Sequence, residues 1–126
     1  MTHPFYQPQG SQSQKLTPKE RIWFVVALIP EGKVISYGKI ADLAGLPGRA
    51  RYVSRALKEA PEHLILPWHR VINSQGKISF DKYSQMFQHQ MQCLRTEGVP
   101  VNSGKIALSE FEWRPEMATL VMSLPF

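Results

Sequence analysis

Between Ser36 and Glu59 the chain encodes two short helices around a tight turn, and this segment constrains the fold more than any other. Ser36 suits the cap of a helix running through Tyr37, Ile40, Ala41 and Leu43, because its hydroxyl can accept from an amide of the first turn. Gly45 ends that helix, since glycine takes up the left-handed conformation of a helix end without a Cβ penalty. Leu46-Pro47-Gly48 reads as a turn, and a further helix is predicted from about Arg49 to Glu59, stopping before Pro61. Its faces separate: Ala50, Val53 and Leu57 fall on one side, while Arg51, Arg55 and Lys58 recur at i, i+4 and i+7 on another. Two short helices joined by a glycine-containing turn, the second one basic, read as a helix-turn-helix.

A basic helix face is commonly only a solvated face, so the distribution of charge along the chain matters. The net charge of +5 is uneven: Lys15 to Lys82 carries twelve Lys and Arg against six Asp and Glu, and Tyr83 to Phe126 three against four. The excess sits with the helix pair, which suits a polyanionic partner such as nucleic acid; the plain alternative is solubility. At 126 residues the chain holds one domain with a modest core. No apolar stretch approaches the ~20 residues that span a bilayer, and no charged-then-apolar leader is visible. The single cysteine, Cys93, forms no internal disulfide, so an intracellular, cytoplasmic and monomeric protein without cofactor or metal is expected.

The flanks complete a mainly α fold with short strands, a winged helix-turn-helix. Residues 1–14, rich in Gln, Ser and Pro, read as a flexible tail. Thr17-Pro18-Lys19-Glu20 opens a first helix as a capping box, with Ile22, Val25, Val26 and Ile29 at helical spacing and a stop at Pro30-Glu31-Gly32. Lys33-Val34-Ile35 is extended, and Leu64-Ile65-Leu66 is expected as a buried strand. Val71-Ile72 and Lys77-Ile78 around Asn73-Ser74-Gln75-Gly76 are expected to pair as a wing. A fourth helix is predicted from about Tyr83 to Thr96, with Tyr83, Met86, Phe87, Gln90 and Leu94 facing inward. Lys105–Leu108 and Phe111–Trp113 are candidate strands of a hairpin. The domain is expected to span 15–116, with residues 117–126 a tail of open structure.

Pro67-Trp68-His69-Arg70-Val71 carries the chemistry. It resembles the Pro-Cys-His-Arg-Val active-site motif of the O6-alkylguanine-DNA alkyltransferases, with tryptophan in place of the nucleophilic cysteine. The resemblance extends over roughly Leu16 to Val99 through Ser36-Tyr37, Leu43-Ala44-Gly45, Pro47, Arg51 and Glu97-Gly98. Indole has one N–H donor and no ionisable nucleophile, so it cannot accept an alkyl group as a thiolate does. The chain is therefore similar to the alkyltransferase-like proteins, which bind alkylated guanine without repairing it, and no enzymatic activity is expected.

That resemblance implies roles residue by residue. Trp68 would shape a pocket that receives O6-alkylguanine turned out of the duplex; the plain alternative is a core tryptophan. Tyr37 would crowd the target phosphate, and Arg51 would enter the duplex in place of the flipped nucleotide. Taken singly they would be a packing aromatic and a solvated charge. Gly48, Ala50 and Ser54 are small and would let the second helix approach the minor groove closely, and Arg55, Lys58 and Ser74 would contact phosphates. His69 and Glu97, which in the alkyltransferases activate the cysteine through water, would remain as a hydrogen-bonded framework beside Pro67. Arg70 and Val71 are candidates within the motif, and Lys82 is a candidate sensor of the O6 substituent. Ala60 departs from the pattern, standing where an asparagine commonly ties the recognition helix to the active-site loop. The implied partners are double-stranded DNA containing O6-alkylguanine and, through it, nucleotide excision repair proteins. A transcription regulator reading the major groove is the alternative, disfavoured because Gly48 and Ala50 are poor base readers; a true alkyltransferase using Cys93 is a third.

Overall fold

The computed structural model describes residues 16–126, so the stretch 1–14 lies outside the described residues. Helix α1 (Pro18–Ala27) starts at the expected capping box. Thr17 Oγ1 accepts the Glu20 amide at 3.2 Å, and Glu20 Oε1 accepts the Thr17 amide at 2.8 Å. Strand β1 (Ile35–Ser36) runs straight into α2 (Tyr37–Leu43), whose first turn is capped by Ser36 Oγ accepting the Lys39 amide. The turn to α3 (Ala50–Lys58) needs left-handed backbone at Gly45 and Gly48, with φ of 78° and 79°. Trp23 Nε1 donates to the Ala56 carbonyl at 2.8 Å and Lys19 pairs with Glu59, so α1 holds α3 from behind.

A 3₁₀ turn (Trp68–Arg70) leads into β2 (Val71–Ile72), which pairs with β1 in parallel, Ile35 opposite Val71 and Ser36 opposite Ile72. This short ladder is the seam between two apolar clusters. Because successive strand residues face opposite sides, Ile35 and Val71 join the cluster of α1, α2 and α3. Val34 and Ile72 join the one built around Phe87 and Leu94 of α4 (Gln85–Thr96) with Val99, Val101 and Ile106. The turn residues before β2 are thus held between the helix pair and α4.

Several expectations are corrected. Leu64-Ile65-Leu66 forms no strand: Leu64 and Leu66 pack near Phe24, but Ile65 is 96% exposed and the segment has no partner strand. The wing turn is present, closed by the Asn73 amide donating to the Lys77 carbonyl, but its arms do not form a ladder with each other. Val71-Ile72 is taken by β1, and Lys77-Ile78 pairs instead with Gly104-Lys105. The candidate hairpin is absent, since Leu108–Phe111 is a short helix (α5) and Glu112 bridges to Val34. Helix α4 begins at Gln85, leaving Tyr83 85% exposed before its Ser84 cap, and Met86 faces outward. Residues 117–126 include a helix, α6 (Met117–Ser123), with Leu120 buried and Leu124 packed on the first cluster. Among the described residues no helix is long and apolar enough to cross a membrane.

Candidate nucleic-acid interface

A pocket of about 590 Å³ opens beside α3. One wall is a single face of that helix, supplying Ala50, Arg51, Ser54, Leu57 and Lys58. Those positions fall at i, i+1, i+4, i+7 and i+8, the spacing of one helical stripe. The opposite wall is Trp68, Ser79, Phe80 and Met86, and Tyr37 at the start of α2 completes the lining. Five sequence-predicted site residues, Tyr37, Arg51, Ser54, Lys58 and Trp68, thus come together around one cavity.

Trp68 is half-buried and ringed by aromatic side chains. Phe80 and His69 meet it edge-on, each with ring centroids 6.2 Å away and planes near perpendicular. His89 stacks on it at 5.7 Å and 29°. Edge-on and offset-stacked rings are the arrangements favoured by the aromatic quadrupole, so the indole is held on more than one side.

The two residues after Trp68 enter a charged knot. Glu97, at the end of α4, accepts from Arg70 Nε and Nη2, the latter at 2.7 Å, from His69 Nε2 at 2.6 Å and from the Gly32 amide at 3.0 Å. Arg70 Nη1 also donates to the Ile29 carbonyl at 2.7 Å. Burial alone would raise the Glu97 carboxyl; the Arg70 guanidinium, the Gly32 amide and His69 outweigh it and bring it down to about 2. Since the carboxylate only accepts, the proton in its bond to His69 belongs to Nε2. The knot joins the loop after α1, the 3₁₀ turn and the end of α4, and so anchors the turn that carries Trp68.

Two site expectations are corrected. Val71 is a core residue of β2, 1% exposed, and its side chain offers DNA nothing. Arg70 spends its guanidinium on Glu97 and Ile29 and is a framework residue. His69 belongs to the same framework while edging Trp68, and the Pro67 carbonyl accepts the Arg70 amide to close the 3₁₀ turn. Arg55 on α3 and Ser74 in the wing turn are exposed and lie outside the pocket lining. Lys82 is exposed too, with Nζ 5.2 Å over the Tyr83 ring, and does not line the pocket. Ala60 gives α3 no side-chain tie; the Trp23–Ala56 bond and the packing of Leu57 and Leu66 on one cluster anchor it instead.

Sequence reasoning missed Phe80, Ser79, Leu57 and His89, and misassigned Met86 to the core. An aromatic residue following a turn was the one available signal for Phe80. His89 gave none, because its contact depends on where α4 lies. Among the described residues no group of three or more His, Cys, Asp or Glu could hold a metal ion.

The helix pair, the turn behind it and the basic stripe along the cavity define a winged helix-turn-helix DNA-binding domain with a pocket beside its second helix. A family profile described as 6-O-methylguanine DNA methyltransferase, DNA binding domain, matches residues 17–99. A protein of Vibrio parahaemolyticus named DNA base-flipping protein is 50% identical over 96 residues, covering 75% of this chain and 94% of that one. One of the same name from Escherichia coli is 44% identical over 115 residues, covering 87% and 88%. In a crystal structure of Schizosaccharomyces pombe Atl1 with damaged DNA containing O6-carboxymethylguanine, the protein is 39% identical. That match covers 78% of this chain and 95% of the other, with a TM-score of 0.70. The chain belongs to the 6-O-methylguanine DNA methyltransferase DNA-binding-domain family, among its alkyltransferase-like members.

Proposed function

We propose that this protein binds duplex DNA through the minor groove and turns O6-alkylguanine into the α3 pocket. It holds the base against Trp68 without removing the alkyl group, and the resulting complex marks the lesion for nucleotide excision repair. The observation that carries this reading is the cavity of about 590 Å³, whose lining unites Tyr37 and Arg51 with the indole of Trp68. The resemblance of Pro67–Val71 to the alkyltransferase motif implies that a thiol stands there in the alkyltransferases. A cavity of that size falls within the ordinary range for small-molecule sites and has room for a purine and its adduct. Extruding a base costs a few kcal/mol, and an inserted guanidinium such as Arg51 offsets part of the lost stacking. The names and bound lesion of the relatives support the same reading.

Cys93 is not among the pocket residues; its Sγ lies 3.8 Å from His89 Nε2. With no thiol at the floor, Glu97 and His69 serve to hold the turn. The test is a titration of otherwise identical duplexes containing guanine or O6-methylguanine, at fixed salt, followed by tryptophan fluorescence. Tighter binding of the alkylated duplex, with a signal change that disappears in Trp68→Phe, is expected. Equal affinity for the two duplexes would overturn the reading.

A further inference from the structure

We propose that His89 is a positioning residue for the pocket floor: its imidazole backs the indole of Trp68 and presets the ring against which the base packs. The proposal rests on the reading of the α3 pocket as the lesion site. The two rings stack at 5.7 Å and 29°, whereas Phe80 and His69 touch the indole only edge-on. Trp68 lines the pocket, and His89, stacked on its indole, is not among the lining residues.

The register of this contact is set next door. Gln90 is 1% exposed, and its Nε2 donates to the carbonyls of His69 at 2.9 Å and Val71 at 3.0 Å. A buried amide bonded to the backbone on both sides of Arg70 locks α4 onto the turn that carries Trp68. The preceding residue of α4 is thereby brought over the indole. One helical turn further on, Cys93 Sγ lies 3.8 Å from His89 Nε2 and steadies the imidazole edge.

A half-buried tryptophan without such backing would exchange rotamers, and the cost of ordering it would fall on the binding step. His89 is itself exposed, so its removal takes little from the core. Its contribution therefore appears in recognition more than in folding.

The experiment compares the full-length parent with His89→Ala, His89→Gln and His89→Tyr. Each is titrated with the guanine and O6-methylguanine duplexes, and its melting temperature is measured. Acrylamide quenching of Trp68 is read as the difference from the matching Trp68→Phe protein. In His89→Ala and His89→Gln, the preference for the alkylated duplex is expected to fall about three- to ten-fold, the equivalent of one aromatic pair. Trp68 becomes more accessible to acrylamide, the melting temperature stays close to the parent's, and His89→Tyr, which keeps a stacking ring, restores both signals. Parental Trp68 quenching in His89→Ala, or no rescue by His89→Tyr, would overturn the proposal. If the parent does not distinguish the duplexes, the lesion-site reading fails, and the quenching comparison still decides whether His89 orders Trp68.

Discussion

One wall of the pocket is a single helix face, and the other is assembled from segments separated in sequence. The α3 wall carries Arg51 and Lys58, with Ser54 between them, and is held from behind by Trp23 and Lys19 of α1. The Trp68 wall is aromatic and apolar, with Phe80 and Met86, and rests on the Glu97 knot. The first wall is basic and the second aromatic and apolar. Under the proposed function, docking on DNA would fall to the first and holding a base to the second, so the two should respond to different substitutions.

The largest expected effect is on the knot. Glu97→Gln leaves the Arg70 guanidinium, 15% exposed, without its carboxylate. Removing one partner of such a buried pair costs about 3 kcal/mol or more, so thermal or urea unfolding should show a loss near that size. The same knot gives an acid limit. Glu97 titrates at about 2 in the folded protein against an ordinary 4.5, so its stabilisation is complete above about pH 4.5. Below that the unfolded chain takes up the proton first, and up to about 3 kcal/mol is lost as the pH falls toward 2. Urea titrations at pH 6, 4 and 3 would show a steep decline in the parent and a shallower one in Glu97→Gln.

Next in size is Trp68→Ala, which should reduce the preference for alkylated over plain duplex roughly ten-fold or more, as loss of a base–aromatic stack does. Binding to plain duplex should change far less. A matching loss on both duplexes would mean that the two walls are not separable. Arg51→Ala should weaken binding to the lesion about ten-fold, through the extrusion step. Lys19→Ala, which loses only the surface pair with Glu59, should bind nearly as the parent does. Equal losses in the two variants would remove Arg51 from the mechanism. The smallest effect is expected for Lys58→Ala: a few-fold loss on every duplex and a salt dependence shallower by about one ion, the signature of a phosphate contact.

The same contrast governs what could be read from the chain. Caps are local, so Thr17 and Ser36 announced α1 and α2, and the glycines at 45 and 48 announced the turn between the helices. On α3 the helical period set Arg51, Arg55 and Lys58 on one face and Ala50, Val53 and Leu57 on another, whereas the pocket wall takes Ala50 and Leu57 together with Arg51, Ser54 and Lys58 and leaves Arg55 out. Arg51 was legible through the family resemblance and Ser54 through its small size. The Trp68 wall depends on tertiary approach. The β2 strand pairs with β1 and not with the residues after its own turn, and no residue near Val71 signals that choice. His89 reaches Trp68 from α4, which the buried Gln90 and the Glu97 knot fix against the turn, and Phe80 reaches it from the segment before α4. Ile65 shows the reverse error, since an apolar run between Pro61 and Pro67 suggested burial, yet its alternate residue points to solvent. Trp68 itself was legible through the motif around it, whereas the rings that hold it were not.

The most direct test of recognition separated from repair follows the alkyl group itself. The protein would be incubated in excess with a duplex carrying an isotopically labelled O6-alkylguanine, the complex isolated, and DNA and protein separated under denaturing conditions. The expected result is preferential capture of the alkylated duplex with all label recovered on the DNA. Label recovered on the protein, at Cys93 or elsewhere, would contradict it.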